Sequence, residues 1–171
     1  MQNNSFLKKY NCKKFSDFII EKHFINLLNT LIKMDNLNIL FIGNPGSGKT
    51  SLIDSTIKEY YNLEKKPIYN ILYINNLKEQ GIQYYRNEVK TFCQIKSDIP
   101  KKKKFVILDD LDNINDQSQQ VFRNCIDKYS HNVNFIASCS NNQKIIESLQ
   151  SRFLIIKIKP VNKFLLHKLL L

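Results

Sequence analysis

No two of the four cysteines form a CxxC pair, and no histidine lies at metal-ligand spacing from any of them. A zinc knuckle and a disulfide framework are thereby excluded, and Cys12, Cys93, Cys125 and Cys139 read as ordinary reduced thiols. No apolar run approaches the length of a membrane span, and MQNNSFLKKY lacks the apolar stretch of a secretory signal. The expectation is a soluble intracellular protein with no membrane contact. No internal repeat, low-complexity linker or second domain is visible. Acid is also scarce: 15 Asp and Glu against 26 Lys and Arg give a formal charge of +11. That favours an anionic partner, nucleic acid or an acidic protein, over neutral ligands; the alternative is a solvated lysine surface.

What is present suits one globular domain: 171 residues with 43% hydrophobic content can bury a core. Helical spacing of apolar residues over 15–32 predicts a first helix. NILFIG (38–43) predicts a buried strand, and Leu52, Ile53, Thr56, Ile57 and Tyr60 line the helix after it. A second strand is expected at 68–75, then a helix entered through Gly81 and carrying Ile82, Tyr85, Val89 and Phe92. The third strand is expected at 104–108, and Asp116 to Gln119 has the form of a helix start. A fourth strand at 133–138, a short helix from Gln143 to Leu149 and a fifth strand at 154–158 complete the alternation. Strands alternating with helices imply a parallel sheet covered on both faces. The final leucines, in VNKFLLHKLLL, have three possible explanations: packing on the core, contact with another subunit, or truncation of a longer product.

Gly43-Asn-Pro-Gly-Ser-Gly-Lys-Thr50 matches G-x-x-x-x-G-K-[ST] between a strand and a helix, the context a phosphate loop requires. Its backbone N–H groups and the helix N-terminus suit phosphate oxygens. Lys49 is expected at the β/γ-phosphates of ATP, and Thr50 at Mg²⁺. Asn44, Pro45, Gly46, Ser47, Gly48, Lys49, Thr50 and Ser51 are the expected nucleotide contacts. The stretch FVILDDLDN (105–113) delivers two carboxylates to the end of a buried strand. Asp109 is the expected Mg²⁺ ligand. Asp110 is the candidate that polarises an attacking water, the alternative being a loop cap. Asp112 reads as an exposed turn residue, and Lys101 to Lys104 as a solvated loop at the sheet edge opposite the nucleotide.

Over nearly its whole length the chain resembles the small subunits of replication factor C, the AAA+ clamp loaders. The likeness lies in LKKYNCKKFSDF, ILFIGNPGSGKTS, ILYINNLKEQGIQYYRNEVKTF, FVILDDLDNINDQSQQVFRNCIDKYS and NFIASCSNNQKIIESLQSRF. Gly81-Ile82, the SQQ-x-x-R segment from Ser118 to Arg123, and the Lys144 to Arg152 segment are its most specific parts. The resemblance implies an α/β P-loop NTPase (AAA+) three-layer sandwich with a five-stranded parallel sheet. In it the strand 133–138 lies between the phosphate-loop strand and the Asp109 strand. It implies residues 1–160 as the ATPase core and 161–171 as the start of a truncated lid helix, with helical lid and collar largely absent.

It further implies catalytic roles: Ser140, with Asn141 beside it, as sensor 1, where the family usually has Asn; and Arg152 as an arginine finger acting in trans on a neighbour's ATP. Tyr10 falls on the adenine side, in Lys9-Tyr10-Asn11-Cys12 where the family has Lys-Tyr-Arg-Pro. Gln80 replaces an arginine associated with the DNA backbone; Lys78, Arg86, Lys90 and Lys144 are candidate substitutes. The implied function is an ATP- and Mg²⁺-dependent subunit that helps load a sliding clamp on primer-template DNA. The other reading is a lidless, catalytically weak homologue serving as a nucleotide-binding or structural subunit. Implied partners are other clamp-loader subunits, the clamp and primer-template DNA. The implied location is the nucleus in a eukaryote, and the cytoplasm or a replication compartment for a virus.

Overall fold

The computed structural model describes residues 14–18, 21–63, 67–74 and 81–159. Helix α1 (Lys22–Lys33) leads to β1 (Ile39–Ile42), α2 (Lys49–Tyr61) and β2 (Ile71–Ile74). A helical stretch, here α3, then runs through Ile82–Tyr84, a π-helical segment Tyr85–Val89, and Lys90–Gln94. After it come β3 (Lys104–Leu108), α4 (Asp116–Tyr129), β4 (Val133–Cys139), α5 (Glu147–Gln150) and β5 (Leu154–Lys157).

All strand pairs are parallel, in the order β2-β3-β4-β1-β5. Burial follows that order. All seven residues of central β4 are buried, whereas edge strand β5 buries only Ile156. A strand covered on both faces reads as a nearly continuous apolar run, broken in β4 by buried Asn134 and Ser138, and an edge strand need not be so apolar. One core layer joins Leu40, Val106, Leu108, Phe135 and Ala137 to Tyr85, Val89, Phe122 and Ile126 of α3 and α4. The opposite layer joins Ile39, Phe41, Phe105, Ile107 and Ile136 to Leu28, Leu52, Ile53, Ile57 and Tyr60. Each fully buried side chain of this kind contributes about 1.5–3 kcal/mol of transfer free energy. The expected three-layer α/β sandwich is therefore present, with β4 between β1 and β3. No helix among the described residues is long and apolar enough to cross a membrane.

Several element boundaries differ from the sequence expectation. The helix expected over 15–32 begins only at Lys22; Phe15–Asp17 form a 3-10 turn, and Glu21 is extended at φ −61°, ψ 138°. The strand expected at 68–75 is confined to 71–74 among the described residues. Ile68–Asn70 form a 3-10 turn closed by the Asn70 N–H on Pro67 O, and buried Asn70 accepts the Asp98 N–H.

Asp116 does not cap α4. Asn115 does, its Oδ1 accepting the Ser118 N–H. Gln119 is thereby released to the interior, where its amide donates to Ile114 O and Lys144 O and accepts the Ile146 N–H. The same contacts break the helix expected from Gln143 to Leu149. Asn142–Lys144 form a 3-10 turn, and Ile145 and Ile146 are extended before α5. Side-chain amides from Gln119 and Gln150 take backbone groups that a continuous helix would have paired.

The lysine run is the largest correction. Only Lys101 is an exposed loop residue; Lys104 is 3% exposed. Lys102 Nζ donates to Tyr60 O, Lys103 Nζ to Asp35 O and Ser130 O, and Lys104 Nζ to Phe92 O and Ile95 O. These carbonyls lie at or just past the C-terminal ends of α2, α1, α4 and α3. Unpaired carbonyls and negative dipole ends converge there, so three lysines cap them. The run does lie at the end of the sheet opposite Asp109, as expected.

Candidate functional site

The loop between β1 and α2 turns on two glycines, Gly46 at φ +76° and Gly48 at φ +88°. Both values are costly for any residue with a Cβ. Gly48 is the N-cap of α2, whose first turn carries no acidic side chain. The N–H groups of that turn have no partner within the helix, which makes the helix start an anion site. Lys49, 7% exposed, donates to Gly43 O at 2.7 Å and Asn44 O at 3.1 Å. At Gly43 a Cβ would meet Ser47 Oγ at 2.7 Å and Ile158 O at 3.2 Å, so the loop packs closely there. Ser47 Oγ is buried without a hydrogen-bond partner among the described residues. A buried hydroxyl with no partner is the kind of group a bound ligand satisfies.

Across from this loop, Asp109 directly follows β3. Three hydroxyls meet its carboxylate: Thr50 Oγ1 at 3.1 Å from Oδ2, Tyr73 OH also on Oδ2, and Ser138 Oγ at 2.5 Å from Oδ1. Four elements (α2, β2, β3 and β4) therefore converge on one group. Thr50 and Asp109 supply hard oxygen donors of the sort Mg²⁺ takes. A hydroxyl that donates to Asp109 still has its own lone pairs for a cation. The donor set fits Mg²⁺.

Asp110 is the more exposed of the acidic pair and sits in left-handed backbone at φ +52°, its N–H donating to Ser138 Oγ. Partial burial pushes its carboxyl up from the ordinary aspartate range; Asp109 and Asp112 add to this, and Lys49 opposes it.

One expectation about the loops at this end needs correction. Asp112 is no idle turn residue: half-buried, its Oδ2 accepts the N–H groups of Ser140 (3.1 Å) and Asn141 (3.0 Å). Ser140 and Asn141 are exposed, and it is Ser138, still within β4, that bonds the Asp109 carboxylate. Ser138 and Tyr73 were missed by sequence reasoning. Ser138 looks like a small core residue in an apolar run, and Tyr73 like a strand hydrophobe. The one available signal was that strand order puts the end of β4 beside the end of β3.

Arg152 lies apart from this cluster. Its Nε and Nη2 donate to Asp127 of α4 at 3.0 and 3.3 Å, and Arg123 stands 3.3 Å from the same carboxylate. These contacts hold Asp127 below the ordinary aspartate range, the Arg152 hydrogen bond being the larger cause. Arg86, Lys90 and Lys144 are exposed, Arg86 within the π-helical segment. Tyr10, Lys78 and Gln80, and the expected lid start 161–171, lie outside the described residues.

A parallel sheet in this strand order, with a glycine loop entering a helix at one strand end and a carboxylate at the end of β3, defines a P-loop NTPase of the AAA type. The chain belongs to the family of ATPases associated with various cellular activities (AAA), whose model matches residues 39–161. Within it, the chain is 34% identical over 159 residues to the replication factor C small subunit of Saccharolobus solfataricus, covering 91% of this chain and 47% of the relative. It is 32% identical over 158 residues to replication factor C subunit 4 of Saccharomyces cerevisiae, covering 91% of this chain and 48% of that protein. The chain thus spans about half the length of the curated relatives it matches. Among solved structures, a DNA polymerase III gamma subunit-related protein from Thermotoga maritima superposes with TM-score 0.65 at 18% identity. That match covers 80% of this chain and 47% of that one, and it is a likeness of fold.

Proposed function

We propose that this chain is a Mg·ATP-binding, clamp-loader-like ATPase subunit that helps place a sliding clamp on primer-template DNA within a hetero-oligomer. The observation that carries the reading is the pairing of Thr50 with Asp109 at 3.1 Å beside Lys49 and the α2 N-terminus. The similarity to replication factor C subunits along 91% of the chain supplies the biological setting. Lys49 and the backbone of residues 44–51 bind the phosphates, and Thr50 and Asp109 hold Mg²⁺. Bound Mg²⁺ supplies charge neutralisation on the phosphate oxygens. Asp110 orients the attacking water, Ser140 and Asn141 border the site, and Arg152 reaches a neighbouring subunit's ATP. Arg86, Lys90 and Lys144 contribute positive charge to the DNA backbone. A replication role puts the chain inside the cell, in the nucleus of a eukaryote or in the cytoplasm or replication compartment of another host.

A second reading, nucleotide binding without turnover, is favoured by two observations. Asp110 is one methylene shorter than glutamate, and Arg152 is engaged by Asp127 of its own subunit. ATP turnover by the purified chain, alone and with sister subunits, clamp and primed DNA, separates the two. The enzyme reading predicts turnover in the full mixture that falls with Asp110→Asn and with Arg152→Ala. Nucleotide binding with no turnover in any mixture establishes the second reading.

A further inference from the structure

We propose that Tyr73 is a positioning residue for the cation site, its phenol fixing the orientation of the Asp109 carboxylate. The inference rests on the reading that Thr50 and Asp109 hold Mg²⁺ with the nucleotide. Tyr73 is the third residue of edge strand β2, two positions from Ile71, which packs in the core layer under α2. Side chains two apart on a strand share a face. At 39% exposure, Tyr73 could direct its hydroxyl to water. Instead the OH donates to Asp109 Oδ2, the oxygen that Thr50 Oγ1 also meets at 3.1 Å.

The other carboxylate oxygen is bonded by Ser138, so both oxygens of Asp109 are held by neutral donors from flanking strands, β2 on one side and β4 on the other. An aspartate carboxylate otherwise turns freely about a broad torsion. Two donors on opposite oxygens fix its plane while leaving lone-pair sites for a cation, since a carboxylate has about four. Groups that orient metal ligands typically change metal affinity by about 10- to 100-fold when removed.

Equilibrium binding of a fluorescent ATP analogue, titrated with Mg²⁺, tests this on the purified chain. The proteins compared are wild type, Tyr73→Phe, Asp109→Asn and the double variant. Removing one hydroxyl from a half-exposed ring leaves the core intact. The expected result is that Tyr73→Phe binds Mg²⁺-free nucleotide as wild type does but needs roughly 10-fold more Mg²⁺ for half-maximal tightening. In the Asp109→Asn background the Tyr73 change has no further effect. An unmoved Mg²⁺ midpoint, or the same shift persisting in Asp109→Asn, overturns the inference while the nucleotide site stands. Wild-type protein that binds no nucleotide at any Mg²⁺ concentration overturns both.

Discussion

The Arg152 guanidinium holds the Asp127 carboxylate of its own subunit, Nε to Oδ1 at 3.0 Å and Nη2 to Oδ2 at 3.3 Å. A finger acting in trans must leave or share this partner. The pair also sets a pH dependence of stability. Asp127 has a folded-state pKa below its ordinary 3.8, so its contribution is complete above that value and is lost as pH falls through the lower, folded one. The carboxylate is 41% exposed, so screening limits the contribution to at most about 1 kcal/mol. Thermal melts of Asp127→Asn should show a small loss at pH 7 that disappears in strong acid, where wild type and variant converge.

Ser138 and Ser140 give opposite expectations. Ser138 is fully buried, donates to Asp109 and accepts the Asp110 N–H. Ser138→Ala removes the donor to Asp109 and the acceptor of the Asp110 N–H, and should cost about 1–3 kcal/mol in chemical denaturation. Ser140 is exposed and bonds Asp112 through its backbone, which Ser140→Ala retains. That change should stay within about 0.5 kcal/mol. If Ser138 is the residue that links β4 to the cation site, Ser138→Ala should also weaken Mg²⁺-dependent nucleotide binding more than Ser140→Ala.

The lysine run should be uneven in stability. Lys104→Met removes charge-assisted bonds to Phe92 O and Ile95 O and should destabilise by about 1.5–3 kcal/mol. Lys101→Ala, at an exposed position, should fall within about 0.5 kcal/mol. Urea unfolding of both variants provides the check. Equal effects would contradict the assignment of Lys104 as a helix-end cap.

What could be read in the sequence was what depends on local pattern. The span of β3 follows from an apolar run ended by carboxylates, and the phosphate loop from glycine spacing that only one backbone geometry satisfies. The meeting of Thr50 with Asp109 followed from the motif, and the place of β4 between β1 and β3 from the family resemblance. What escaped depends on groups distant in the chain. Lys102 to Lys104 look solvated until the helix ends that they cap are assembled around them. Gln119 reads only as part of a helix start because two of the backbone groups it satisfies lie about 25 residues away. Tyr73 carries both a strand hydrophobe's ring and a donor, and only the register of β2 beside β3 shows which end matters. The π-helical segment Tyr85–Val89 has no composition signal at all.

The central claim is that this chain binds Mg-nucleotide through the phosphate loop, and calorimetric titration of the purified chain with a non-hydrolysable ATP analogue and Mg²⁺ tests it most directly. The account predicts saturable binding at one site, weakened by about 10-fold or more in Lys49→Ala, which removes a charge-assisted phosphate contact. No detectable binding by wild type, or binding of equal strength in Lys49→Ala, would contradict it.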